Sequence, residues 1–504
     1  MPSAHLIIDP RFTAGSIDRR LFGGFVEHLG RHIYDGIHEP AHATADANGF
    51  RTDVIELVKE LGVSTIRYPG GNFVSGYRWE DGVGPIESRP RRLDLAWHVT
   101  ETNEVGLHEF ATWLDAVGSD LMLAVNLGTR GTQEALDLLE YSNIRAGTAL
   151  SQQRIDNGRI EPFGVDMWCL GNEMDGPWQL GHRNADDYGK LAARTAKAMR
   201  QMYEGLQLVV CGSSHSAMPT FGAWEHAVLE HCYDDVDFIS CHAYYSEKRG
   251  DLDSFLASPI DMDHFIESVV ATADSVGARL RNAKRINISF DEWNVWFPDP
   301  KPSGEQPPRN EHWPIAPRQL ENVYSVADAV VVGGLLMSLL RHADRVKSAS
   351  LAQLVNVIGP IMTEPGGAAW RQTTYFPFAT MSRLARGEVL ELRVTTESYE
   401  TELYGSVPVV DAVATYDSVS GAAAVFLVNR SVTDAATVTA DLTGFGDLVL
   451  AEATTLCDDD VYARNSLDNQ TRVRPVANGS ARLLEGTLTA LLPPASWSAI
   501  SLTR

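Results

Sequence analysis

Two glutamates stand at the ends of short apolar segments, each beside amide or aromatic side chains. One segment is Trp168-Cys169-Leu170-Gly171-Asn172-Glu173 and the other is Ser289-Phe290-Asp291-Glu292-Trp293-Asn294. Burying a carboxylate without partners is costly, so packing alone does not put a Glu at the end of an apolar strand. A single such Glu reads more readily as a structural ion pair; two at the mouth of one scaffold read as a working pair. Two carboxylates suit glycoside hydrolysis, in which one protonates the leaving oxygen and the other attacks the anomeric carbon. A retaining mechanism needs them about 5–5.5 Å apart, in surroundings that push their pKa values apart.

Polar groups close other segments of the same kind. These are Glu27 with His28, the run from Arg67 through Gly70 and Gly71 to Asn72, Asn126, the run His242-Ala243-Tyr244-Tyr245, and Gln353 with Asn356. Trp97, Trp293 and Trp296 lie near them in sequence. Sugars offer hydroxyls to polar groups and C–H faces to aromatic rings, so such a collection fits a sugar pocket. For any one of these residues, support of a neighbour or core packing is an equally good reading.

The elements that must bring these residues together recur as short β-rich runs followed by amphipathic helical patterns. Candidate strands are 21–27, 64–68, 121–126, 166–170, 207–212, 238–242, 286–291 and 348–354, with helical stretches at 52–61, 109–117, 132–141, 185–203, 224–232 and 263–278. Eight such units predict an α/β fold, a closed (β/α)8 TIM barrel, whose active site lies at the C-terminal ends of its strands. The glycine-rich phosphate loop expected of an open doubly wound sheet is missing. After about residue 375 the pattern becomes all-β, with strands at 390–395, 408–416, 422–429, 437–442, 448–456 and 480–502. The expected division is a catalytic barrel at 15–375 and a jelly-roll-like β-sandwich at 376–504. The N-terminal residues 1–14 are expected to join the sandwich through a strand at 5–8. The segment 297–320 carries seven prolines with His312 and Trp313. It follows the seventh strand and is expected either to wall the mouth or to contact another subunit.

The balance of 42 basic and 66 acidic residues gives a net charge of −24. Such a surface repels phosphate backbones and anionic membranes, so neither nucleic acid nor a membrane is an expected partner. Five cysteines at irregular spacing form no CxxC, and Cys169, Cys211 and Cys241 read as buried strand thiols. His28, His32, His38 and His42 match no metal-binding spacing, so no metal is expected. No GxSxG elbow occurs. The N-terminal residues lack the pattern of a signal peptide, and the apolar run 329–340 is too short to span a bilayer, so it reads as a buried helix. The expected location is cytoplasmic.

The segments FGGFVEH (22–28), RYPGGNFVSGYRWEDGVGP (67–85), WCLGNE (168–173), CHAYY (241–245) and SFDEWN (289–294) resemble the α-L-arabinofuranosidases of glycoside hydrolase family 51. The likeness covers nearly the whole barrel, and the run 67–85 is its most specific part. The C-terminal region is similar to the family only in its β-rich character. The resemblance implies that Glu173 is the general acid/base and Glu292 the nucleophile. It implies that Asn172 binds the sugar 2-hydroxyl and that Glu27, Arg67, Asn72 and Gln353 bind the other furanose hydroxyls. Tyr244 would contact the nucleophile, His242 would support it from behind, and Trp97 and Trp296 would shape the leaving-group side. It implies an arabinofuranosyl oligosaccharide substrate, no cofactor, and a homo-oligomer, often a hexamer. A β-xylosidase or endoglucanase on the same barrel, or a non-catalytic carbohydrate-binding protein, stands as the alternative.

Overall fold

The computed structural model describes residues 1–297 and 312–504. Eight parallel strands close into a barrel: β1 (Gly23–Phe25), β2 (Thr65–Tyr68), β3 (Asp120–Ala124), β4 (Met167–Leu170), β5 (Gln207–Val210), β6 (Phe238–Tyr245), β7 (Asn287–Val295) and β8 (Val346–Ala352). β7 pairs with both β6 and β8, and β8 pairs with β1, which closes the ring. Inside it, Met122, Ala124, Met167, Cys169, Val209, Phe238 and, from the β2 loop, Val74 form a small core of their own. This filling makes the barrel a packed body rather than a pore.

The strands differ in extent from their sequence pattern. β1 is short because the turn Arg19–Phe22 occupies its expected start. β6 and β7 run on to Tyr245 and Val295, because their backbones keep pairing (Glu292 with His242, Val295 with Tyr245) while their polar side chains enter the mouth. The pairing of β7 slips on both sides, between Ser289 and Glu292 against β6 and between Phe290 and Trp293 against β8. Such an irregularity re-aims side chains that strict alternation would send to opposite faces.

Among the helices, α1 (Val326–Arg341) is buried along nearly its whole length. Ser325 and Asp328 form a capping box at its start. One side of α1 faces the barrel, and the other lies on the C-terminal sheet. An all-round apolar helix is what this position requires, and it accounts for the uninterrupted run 329–340. At Gly333 a Cβ would collide with the buried Trp497 ring, so glycine is what lets helix and sheet approach. Helix α2 (Tyr375–Leu384) then packs on α1 and on the helix Thr52–Leu61, so the division expected at 375/376 falls at its first residue. Among the described residues, no helix is long and apolar enough to cross a membrane.

The C-terminal domain is all-β: most of its strands join in one ten-stranded sheet around a separate apolar core, and Ser398–Thr401 pairs with Gly405–Pro408 as a separate hairpin. The N-terminal strand Ser3–Ser16 lies within it, antiparallel to Glu388–Thr396 and parallel to Ala436–Asp441. The stretch 480–502 resolves into Arg482–Leu484, Thr487–Leu492 and Ser496–Thr503, broken at Glu485 and Gly486, where φ is positive. Of the proline-rich segment, 298–311 lies outside the described residues. Its distal flank packs on the hairpin of Arg92–Asp94 and Val99–Glu101. There Thr100 donates to the carbonyls of Trp313 and Pro314, Gln319 donates to that of Trp97, and the Trp313 ring covers His98.

Candidate active site

Glu173 follows β4 and Glu292 lies within β7, and the two meet over the barrel axis beside His242 of β6. Donor atoms of the three all lie within 4.8 Å of one another. His242 Nδ1 is 3.0 Å from Glu173 Oε1 and 3.7 Å from Glu292 Oε2, while its Nε2 is 2.9 Å from Asp291 Oδ1. Asp291 and Glu292 are consecutive, yet both face His242, which is the consequence of the slipped register in β7. Burial opposes the His242 cation, but Glu292, Asp291 and Glu173 outweigh it and push its pKa up to about 10. His242 is therefore a cation at neutral pH and donates from both ring nitrogens.

Arg67, at the C-terminal end of β2, donates from Nη1 to Glu292 Oε1 at 2.7 Å and from Nη2 to Asn172 Oδ1 at 2.6 Å. It is fully buried. Desolvation works against its charge, but the nearby Asp291, Cys169 and Glu292 hold its pKa well above the ordinary value. Burial alone would raise the Asp291 carboxyl; Arg67 and His242 hold it below the usual range. Tyr244 donates its hydroxyl to Glu292 Oε2 at 2.8 Å. Both Glu292 oxygens are thus held, one by Arg67 and one by Tyr244. A Cβ at Gly71 would lie 2.9 Å from Glu292 Oε1 and 3.3 Å from Phe25, so the backbone there must be bare for the carboxylate to fit.

Glu173 sits differently. Its backbone adopts φ 43°, a left-handed conformation uncommon outside glycine, after Gly171 at φ 94°. Its Oε2 accepts the indole N–H of Trp178 at 2.6 Å. Burial, with the charge of Glu292 adding to it, raises its pKa despite the bonds from His242 and Trp178. A carboxyl whose pKa is raised beside a second carboxylate is the arrangement that separates an acid from a nucleophile.

On the β1 side, Glu27 Oε1 accepts from the Phe73 backbone N–H at 2.9 Å and the Trp97 indole at 3.0 Å, and its Oε2 accepts from Gln353 at 3.1 Å. Burial pushes its pKa up to about 8. Gln353 is fixed in turn, accepting from the Glu27 backbone N–H and from His32, which burial keeps neutral by lowering its pKa to about 3. Asn72 starts the turn Asn72–Ser75 and is half-buried beside Gly71. The Trp296 ring stands edge-on to Tyr244 with centroids 5.5 Å apart, and its buried N–H has no protein partner.

Direct bonds and contacts thus link Glu173, Glu292, His242, Arg67, Asn172, Tyr244 and Trp296 into one network, and Glu27, Gln353 and Trp97 into an adjoining knot. Gly71 lies between the two knots, since a Cβ there would also lie 3.5 Å from Glu27 Oε2. Asn126 takes no part; it turns back onto the backbone of its own loop and the carbonyl of Tyr77. Sequence reasoning gave no role to Trp178 or Asp291. Trp178 lies five residues after Glu173 and is half-exposed, so only its aromatic character in a strand-end loop could have signalled it. Asp291 was visible in its motif but is misplaced by simple alternation. Glu173, His242 and Glu292 are also of metal-ligating types, but Arg67 and the cationic His242 already bring positive charge to these carboxylates.

Comparison with known proteins extends the picture to the whole chain. Residues 57–253 match the model of an alpha-L-arabinofuranosidase 1 domain, and residues 291–496 that of an alpha-L-arabinofuranosidase C-terminal domain. The chain is 56% identical to an exo-alpha-(1->6)-L-arabinofuranosidase of Bifidobacterium longum, over 99% of this chain and 97% of the relative. It is 49% identical to the intracellular exo-alpha-(1->5)-L-arabinofuranosidase 1 of Bacillus subtilis strain 168, over 100% of both chains. A solved family 51 alpha-L-arabinofuranosidase from Bifidobacterium longum matches with a TM-score of 0.95 at 48% identity, over 99% of each chain. The arabinose complex of the Thermotoga maritima alpha-L-arabinofuranosidase matches with a TM-score of 0.87 at 32% identity, over 100% of each chain. With a closed eight-stranded barrel, paired carboxylates at its mouth and relatives of this similarity over their full length, the chain belongs to the α-L-arabinofuranosidases of glycoside hydrolase family 51.

Proposed function

We propose that this enzyme releases terminal α-L-arabinofuranosyl residues from arabinose-containing oligosaccharides with net retention, through a glycosyl-enzyme on Glu292. The observation that carries this reading is the approach of the Glu173 and Glu292 carboxylate oxygens to within 4.8 Å. That is close to the spacing of retaining enzymes and too short to seat a water on the far face, which needs about 6.5–9.5 Å.

In the first step a Glu292 oxygen bonds to the anomeric carbon as the bond from that carbon to the leaving oxygen breaks, and Glu173 gives its proton to that oxygen. In the second step water attacks the same carbon, its proton passes to Glu173, and the bond to Glu292 breaks. Arg67 and Tyr244 orient the attacking carboxylate, one on each oxygen. Asn172 is positioned by Arg67 to meet the sugar 2-hydroxyl, and Glu27, Asn72 and Gln353 to meet the remaining hydroxyls. Trp97 and Trp296 flank the leaving-group side. The relatives act on (1->5) and (1->6) linkages by name, which supports exo action on short α-linked arabino-oligosaccharides. Several are named intracellular, which supports the same location here. A homo-oligomer, of hexameric size, belongs to the same reading.

Glu292→Ala should lose at least about 10⁴-fold in kcat/KM on every substrate. Glu173→Ala should lose about 10³-fold on methyl α-L-arabinofuranoside but under about tenfold on the 2,4-dinitrophenyl glycoside, whose leaving group needs no proton. Equal losses on the two substrates would remove the assignment. Proton NMR of the first-formed sugar should show the α-anomer, and appearance of the β-anomer would remove retention.

A further inference from the structure

Glu173 is held by two donors of unlike kind. Oε1 faces inward to His242, which is buried and locked from behind by Asp291. Oε2 faces outward to the indole of Trp178, whose ring is half-exposed and stacks on His215 with centroids 6.2 Å apart. The inner donor has no room to leave, whereas the outer one borders solvent. The turn is built to take the indole in this pose, because a Cβ at Gly176 would lie 2.5 Å from Trp178 Cε2.

An N–H can bond a carboxylate oxygen, but not one that carries a proton pointing at it. The Trp178 bond therefore belongs to ionised Glu173, while proton donation needs the same oxygen free. We propose that Trp178 is a positioning residue for Glu173: its indole N–H holds Oε2 when the carboxylate is ionised and releases it when Oε2 is protonated, which leaves that proton free for the leaving-group oxygen. This inference rests on the reading of Glu173 as the acid/base. Once the proton has passed from Oε2 to the leaving oxygen, the indole closes on the carboxylate again. It steadies the carboxylate in the glycosyl-enzyme until the attacking water returns a proton to Oε2. The other groups facing Glu173 are the His242 cation, Glu292 and the Tyr244 hydroxyl, none of which approaches Oε2 as Trp178 does; His215 lies behind the indole.

The test is the pH dependence of kcat/KM on methyl α-L-arabinofuranoside, whose alkaline limb reports the acid in the free enzyme. Trp178→Phe keeps a ring and removes the donor. It should move that limb upward by about 0.5–1 pH unit, as expected for loss of one half-exposed hydrogen bond to a charged group. Trp178→Gln, which retains an N–H donor, should bring the limb part of the way back. An unmoved limb in Trp178→Phe, with only KM raised, would overturn the proposal and leave Trp178 as a wall. Glu173→Ala measured in parallel separates the two readings. If its loss depends on the leaving group while the Trp178→Phe limb stays put, this proposal alone falls; if its loss is equal on both substrates, the acid/base reading falls with it.

Discussion

At the scale of single residues, the site works by giving like groups unlike surroundings. Glu292 has an arginine on one oxygen and a tyrosine on the other, whereas Glu173 has a histidine inside and an indole outside. His242 touches both carboxylates and is anchored by a third, Asp291. Its pKa is raised to about 10 in the folded chain against 6.5 for an ordinary histidine. The cation's contribution to stability is then fully present below pH 6.5 and is lost as pH rises toward 10. Comparing the melting temperatures of the wild type and His242→Gln should give the largest gap below pH 6.5, shrinking steadily by pH 10. A gap that stays constant over that range would mean that the histidine is neutral.

At the scale of elements, two features set the geometry. The slipped register of β7 turns Asp291 and Glu292 toward the same histidine, so a backbone irregularity of one strand supplies both the proposed nucleophile and the anchor of His242. The second is α1, which meets the barrel with one face and the sheet with the other. It comes close to the sheet at Gly333, where an added Cβ would collide with Trp497 Cδ1. Gly333→Ala forces a methyl into the ring and should lower stability by about 1–3 kcal/mol through overpacking. Urea unfolding measures this, with kcat at 25 °C staying near wild type because no site residue moves. An unchanged midpoint would show that the helix can shift from the sheet without loss.

At the scale of the whole molecule, the barrel and sheet are joined by partly buried charge as well as by apolar surface. Asp411 of the sheet domain bridges Arg341 at the end of α1 and Arg430, and Arg341 also reaches Asp263 of the helix Pro259–Leu280. Burial raises the Asp411 carboxyl, but the two arginines outweigh this and hold it below the usual range. Asp411→Ala leaves Arg341 with Asp263 alone and Arg430 with only backbone carbonyls and should cost about 1–3 kcal/mol, read as a lower melting temperature. The loss should be present at neutral pH and vanish as pH falls through the depressed carboxyl pKa, where the wild type loses the same bridge. Persistence of the full difference in acid would mean that the aspartate acts through packing rather than charge.

The alternation of apolar strand and amphipathic helix was enough to identify the barrel, because each unit buries its own faces locally and the period survives in the sequence. The two catalytic candidates were legible for a related reason: a carboxylate closing an apolar strand has no packing explanation. The β-rich C-terminal pattern was equally plain, and the run 329–340 announced a buried helix without saying what would cover it. What only the tertiary structure decided depends on groups distant in the chain. The reach of β6 and β7 beyond their apolar cores follows from pairing with each other rather than from local composition. The facing of Asp291 toward His242 depends on a register that two neighbouring strands impose. The contact of Trp178 with Glu173 depends on how a turn folds back over Gly176. Sequence records which groups are present and the local period that buries them; the angles and distances that make a carboxyl an acid or a nucleophile come from neighbours that only the closed barrel brings together.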